Sequence, residues 1–267
     1  EIGSGLVGSE MCIRDSIMAE QSFSALPFLG KDMFNIKIAD IIIGIRNKYD
    51  FVRILCEDYI VCEEPEIIIT ATDNEIEEES RNNHSPKDYC ESICIYRKIC
   101  REIIKFNCFM LHASLISFDG KGYAFSAPSG YGKSTHARLW RGYFGSRVLI
   151  LNGDKPIIKY DGKDFYAFGT PWCGKENDNI NTSVILKSIF FIEKSNINLV
   201  CKSKPKEITS KLLEQIIFPL HKNDMINFMS VVDSLIKTLD FYSLKCNISF
   251  EAVKTAYNIL GSDKNDD

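Results

Sequence analysis

From Phe34 to Thr72 the chain alternates short apolar runs with polar or turn-prone residues: IADIIIGI, FVRILCEDYIVCEEP and EIIITAT. Such runs, rich in β-branched residues and bounded by charges, predict short strands and a small β-rich amino-terminal lobe. Asp73 to Asp88 then turns acidic and polar, with EIEEES and RNNHSP. That composition predicts a connecting loop or an exposed helix at the edge of the lobe. From Lys87 to Lys105 the side chains Tyr89, Ile93, Tyr96, Ile99, Cys100, Ile103 and Ile104 recur at three- and four-residue steps. This is the period of a helix with one buried face, for which Asp88 or Ser85 is the expected cap.

LHASLISF and GYAFSAPS read as two strands joined at Asp119-Gly120, a dipeptide suited to a tight hairpin. A helix is predicted from Lys133 through Trp140, then strands at VLILN, PIIKY, DFYAFGTP and SVILKSIFFIE. Ile208 to Ile217, Asp224 to Leu239 and Phe250 to Leu260 carry helical spacing, with Pro205 and Pro219 at boundaries and a strand-like FYSLKC before the last helix. The pattern therefore predicts a mixed α/β (α+β) fold: a β-rich lobe over 18–84 and a larger domain over 85–267. The first sixteen residues, EIGSGLVGSEMCIRDS, resemble translated sequencing-adapter read-through. Residues 1–17 are accordingly expected to be a non-native leader, with Met18 as the start.

Composition narrows the classes. Of 267 residues 45% are hydrophobic and 25% charged, the mixture of a globular protein rather than a disordered chain. The net charge of −4 speaks against broad electrostatic binding to nucleic acid or an anionic membrane. No apolar run reaches the roughly 18 residues that a membrane helix needs, and the cytoplasm is the expected compartment. The ten cysteines form no C-x-x-C pair, so free thiols packed as small apolar groups are the simplest account.

The strongest chemical signal is SAPSGYGKST, Ser126 to Thr135, between a predicted strand and a predicted helix. A phosphate-binding loop needs glycines, here Gly130 and Gly132, so that backbone N–H groups can curl towards an anion. Lys133 then reaches the terminal phosphates and the Ser134 hydroxyl reaches Mg²⁺. The strict motif is broken at its first position by Ala127. The competing reading is a Gly-rich turn with an exposed lysine. Asp154, after VLILN, suits a Mg²⁺ ligand or a base for an attacking hydroxyl, or else simply belongs to the N-G-D turn. His112 is a second candidate because it opens the strand one hairpin ahead of the loop, whereas His136 is expected to cap or pack. GTPWCGK, Gly169 to Lys175, reads either as a site loop with Trp172 as wall and Lys175 as cation, or as core around Trp172.

The order of His112, the Gly-Tyr-Gly-Lys-Ser-Thr loop, Asp154, GTPWCGK and SVILKSIFFIE resembles the kinase domain of HPr kinase/phosphorylase. The likeness is greatest to its short relatives, whose core is similar to that of phosphoenolpyruvate carboxykinase. It covers Leu111 to Glu193 with specific motifs and, more loosely, Phe34 to Leu260. The resemblance implies an ATP-dependent kinase that transfers the γ-phosphoryl group, with Mg²⁺, to a hydroxyl of a protein serine, a peptide or a small molecule. Ser129, Gly130, Tyr131, Gly132, Lys133, Ser134 and Thr135 would surround the phosphates. Asp154, His112 and Lys133 would be catalytic, Ser134 and Asp154 would hold the metal, and homo-oligomers would be common. Two departures stand out. Gly153 occupies the place of the first of two adjacent aspartates, leaving one carboxylate as either base or metal ligand. The carboxy-terminal segment with which the full-length enzyme engages HPr has no match. An inactive ATP-binding sensor or scaffold is the alternative from a different class.

Overall fold

The structure, a computed structural model, describes residues 33–262, so the expected leader lies outside the described residues. Strands β1 (Phe34–Ile38) and β2 (Ile41–Arg46) form a hairpin turned at Ala39 and Asp40. FVRIL, expected as a strand, is instead a short helix, α1 (Asp50–Leu55). Val52, Leu55 and Cys56 share its inner side at the three- and four-residue spacing of a helix, which the apolar run disguised. The Glu91 carboxylate secures its start by accepting the backbone N–H groups of Lys48 at 2.6 Å and Tyr49 at 3.0 Å. β3 (Ile60–Val61) and β4 (Ile67–Thr70) complete a four-stranded sheet of order β3-β1-β2-β4.

The acidic stretch that allowed a loop or a helix is helix α2 (Asp73–Asn83), closed by a capping box between Thr72 and Glu75. Helix α3 (Lys87–Glu102) follows, and its buried face packs with the first sheet in one core with Cys90, Ile95 and Ile99. Neither expected cap is used. Pro86 holds the cap position, Ser85 Oγ donates to Asn83 O, and Asp88 accepts from the N–H of Tyr89.

The second sheet has nine strands. β5 (Cys108–Met110), β6 (Ala113–Phe118) and β7 (Lys121–Ser126) come first, and Asp119 and Gly120 both take positive φ in the β6–β7 turn, as its type requires. Helix α4 (Lys133–Phe144) leads to β8 (Val148–Asn152), β9 (Ile157–Tyr160), β10 (Phe165–Phe168), β11 (Ser183–Lys194) and β12 (Leu199–Lys202). Helix α5 (Pro205–Leu213) starts three residues earlier and ends four earlier than expected, because Pro205 suits the first turn. Helix α6 (Lys222–Thr238), strand β13 (Asp240–Cys246) and helix α7 (Phe250–Ser262) end the described chain.

β11 is the spine of this sheet: β7 and β13 both run parallel to it. Its side chains alternate between two cores. Ile189 and Phe191 face Phe228, Val232 and Leu235 of α6, while Phe190 and Ile192 face Trp140 of α4 and Val253 of α7. With helices on both faces, the carboxy ends of β7, β11 and β13 emerge at one end. No helix among the described residues is long and apolar enough to cross a membrane.

Glu91 gives a direct check on the first sheet. Glu91→Ala removes both acceptors of the Lys48 and Tyr49 N–H groups, with an expected loss of about 1–3 kcal/mol. A lower urea midpoint at unchanged slope is the predicted result, and an unchanged midpoint would show that water replaces the carboxylate.

Candidate functional site

Between β7 and α4 the chain makes a tight loop. Gly130 (φ 72) and Gly132 (φ 94) both lie in the left-handed region, where a side chain is strained. Gly132 is the cap residue of α4 and supplies no capping side chain, and the positive end of the helix dipole at this point favours an anion. Ala127 is not among the positive-φ residues, which explains why alanine serves at the motif's first position. The buried Lys133 folds its ammonium back onto the loop, donating to Ala127 O at 3.0 Å and Pro128 O at 3.4 Å.

The turn after β8 faces this loop. The buried Asn152 amide shapes it: its Oδ1 accepts the N–H groups of Asp154 at 2.8 Å and Lys155 at 2.6 Å. Its Nδ2 donates to Thr170 O and Oγ1 at 3.0 and 3.1 Å. The Gly153 carbonyl takes two hydroxyls, Ser114 Oγ at 2.6 Å and Ser134 Oγ at 3.1 Å. A Cβ at Gly153 would stand 2.6 Å from the Cys173 carbonyl oxygen. The loop over 169–178 therefore occupies the space that a second aspartate's side chain would enter.

Asp154 is held from two sides. His112 Nε2 lies 3.2 Å from its Oδ1, and Lys155 Nζ is hydrogen-bonded to its Oδ2. Burial alone would raise its pKa, but Lys155, His112 and Lys133 outweigh that and hold the carboxyl well below the usual range. His112 Nδ1 is in turn 2.8 Å from Gln215 Oε1. Lys155 also lies 6.0 Å above the Tyr96 ring.

A cavity of about 260 Å³ gathers the sequence candidates Ser129, Gly130, Gly132, Lys133, Ser134, Thr135 and Asp154. Gly174, Lys175 and Glu176 close it from the facing loop. His112 sits buried behind Asp154, and Tyr131 lies on the other side of the loop. Trp172 is core, its ring tilted against Tyr96 with centroids 5.1 Å apart and its Nε1–H donated to Ser92 Oγ at 3.0 Å. His136 packs as expected, against Phe125, and its Nε2 accepts from Trp140 Nε1 at 3.0 Å.

Sequence reasoning missed Lys155 and Gln215. Lys155 was readable only as the neighbour of Asp154, and Gln215 carried no local signal because it reaches His112 from the end of α5.

No family model matches the chain, and no curated protein matches it. Among solved structures, the HPr(Ser) kinase/phosphatase from Coxiella burnetii is similar at 12% identity and a TM-score of 0.28. The match covers 48% of this chain and 91% of that one. A score this low leaves the two folds unequated.

Two outcomes test the geometry. Gly153→Ala places a Cβ against the Cys173 carbonyl and is expected to cost about 1–3 kcal/mol as overpacking, read by denaturant unfolding. An unchanged midpoint would show that the 169–178 loop yields freely. The Asp154 carboxyl lies below its unfolded value of about 3.9, so its ion pairs stabilise fully above that pH and are lost as pH falls towards the folded value. The stability difference between wild type and Asp154→Asn should shrink as pH falls below about 4.

Proposed function

We propose that the protein is an ATP-dependent phosphotransferase that moves the γ-phosphoryl group onto a serine or other hydroxyl. The core would be a phosphoenolpyruvate carboxykinase-like phosphate-loop domain over 85–267, carrying the β-rich lobe over 18–84. One observation carries this reading: the start of α4, with Lys133 and Ser134, faces the ionised Asp154 across a cavity of about 260 Å³. A Gly-rich turn of purely structural use has no need of a cavity with a carboxylate on its far wall.

The donor set suits the groups implied. The positive end of a helix dipole and an ammonium fit phosphate, and a hydroxyl with a carboxylate, both hard oxygen donors, fits Mg²⁺. Ser134 and Asp154 would hold that ion, which when bound neutralises charge on the transferring phosphoryl group. Lys133 would leave the Ala127 and Pro128 carbonyls for the phosphates, and Ser129 to Thr135 would orient them. A carboxyl kept so firmly ionised is a weak proton acceptor, which favours Asp154 as ligand and orienting group over base. His112, fixed by Gln215, would set the angle of Asp154. Lys175, which lines the same cavity, would attract an anionic part of the acceptor, a protein, peptide or small hydroxyl compound.

Titration of Mg²⁺·ATP into wild type, Lys133→Ala and Asp154→Asn, with turnover on a serine peptide and free serine, tests the reading. Wild type should bind and turn over, and Lys133→Ala should lose about 1.5–3 kcal/mol of binding, the worth of charged hydrogen bonds. Asp154→Asn should bind without turnover. No binding by wild type would reduce the loop to a structural turn, and binding without any turnover would make the protein an ATP sensor.

A further inference from the structure

Helices α2 and α3 fold back on one another through the turn over 84–86, and a cavity of about 270 Å³ opens between them. It shares no residue with the site beside the glycine-rich loop. Glu75, Glu78, Glu79 and Asn82 come from α2, and Cys94, Arg97, Lys98 and Arg101 come from α3. Each set has the spacing of a single helix face, so each helix builds one wall.

Three cations meet three carboxylates here, yet they are not paired one to one. Lys98 donates to Glu75 Oε2 at 2.7 Å and to Thr70 O at 2.8 Å. Arg97 grips both oxygens of the buried Glu79, whose Oε1 also accepts from Asn83 Nδ2 at 2.5 Å. Arg101 and Glu78 are left over: among the described residues neither has an ion pair, with the other or with any third group, and the Arg101 Nε–H is buried without an acceptor. A buried donor with no acceptor is costly, so this guanidinium gains by turning towards one. The Cys94 thiol stays neutral, its pKa pushed up to about 11 chiefly by burial, and adds no charge to the wall.

We infer that this cavity binds a small zwitterion of the amino-acid class, its carboxylate on Arg101 and its ammonium on Glu78. A guanidinium recognises a carboxylate through paired N–H donors in a fixed fork. A plain anion would satisfy Arg101 but bring its charge next to an uncompensated Glu78, and a plain cation would do the reverse. A guest carrying both charges answers each residue and leaves the balance of the cavity unchanged, which makes the pair a selective device against singly charged solutes. Asn82 adds a neutral donor and acceptor at the same opening. The volume lies just below the range of about 300–1,000 Å³ usual for drug-sized ligands, which suits a guest of amino-acid size rather than a nucleotide.

Calorimetric titration of L-alanine, γ-aminobutyrate, acetate and ethylammonium into wild type, Arg101→Gln, Arg101→Lys, Glu78→Gln and Glu102→Gln tests the inference. The two zwitterions differ in the separation of their charges, and wild type should bind at least one of them at least about tenfold more tightly than acetate or ethylammonium. Arg101→Gln and Glu78→Gln should each weaken that binding by about tenfold or more, with Arg101→Lys, which keeps the charge but not the fork, in between. Glu102→Gln makes the same change of charge on α3 outside the cavity and should leave binding as it is. Thermal melts separate lost binding from lost folding, and Arg101→Lys stands in for Arg101→Gln should the latter unfold. Acetate binding as tightly as the zwitterions and indifferent to Glu78→Gln would make this an anion site and overturn the inference. Absence of saturable binding of either zwitterion by wild type would overturn it too, as would full zwitterion affinity in the folded Arg101 and Glu78 variants.

Discussion

The buried amide of Asn152 is the fastening on which the candidate site depends. Its oxygen takes the N–H groups of Asp154 and Lys155, and its nitrogen gives both protons to Thr170. Every hydrogen-bonding position of the side chain is used, which is the condition for burying an amide without penalty. The same four bonds set the direction of the Asp154 side chain and tie the facing loop to the end of β8. The glycine-rich loop before α4 is joined to this unit through Ser134, which donates to the Gly153 carbonyl at 3.1 Å.

The first sheet enters the same arrangement from outside. Trp172 leaves the site loop to pack against the Tyr96 ring of α3 and to bond Ser92. Tyr96 in turn underlies Lys155, the cation that holds Asp154. Asn181 donates to Asp58 O at 2.8 Å, so the far end of the loop is also moored to the first sheet's connections. The first sheet and its helices thus act as a back support for one wall of the cavity.

What the sequence disclosed follows the range of the forces involved. The hairpin at Asp119-Gly120, the loop from Ser129 to Thr135 and the helix after Lys133 are local, set by backbone freedom and spacing within a few residues. FVRIL was misread because one short apolar run fits both periods, and the group that starts it as a helix, Glu91, stands 43 positions from Lys48. Gln215 lies 103 positions from His112, and no neighbour in sequence marks it. Gly153 had a readable identity but an unreadable reason, since the carbonyl that demands it belongs to Cys173. The stretch of mixed α and β elements was legible; the order of nine strands, with β11 flanked by β7 and β13, arises from pairings between segments that share no local pattern.

Lys133 carries one more implication. Its ammonium already has two oxygens of its own chain, Ala127 O and Pro128 O, as partners. Any anion arriving at the loop would have to displace intramolecular ligands that are tethered beside the cation, and would surrender its own freedom of motion in doing so. The gain on capture is therefore the difference between two solvated-ion-like states of the same lysine, small for a lone anion. On the phosphotransferase reading, the loop would favour a guest that contributes attachment beyond its charge, and simple anions would gain little by entering.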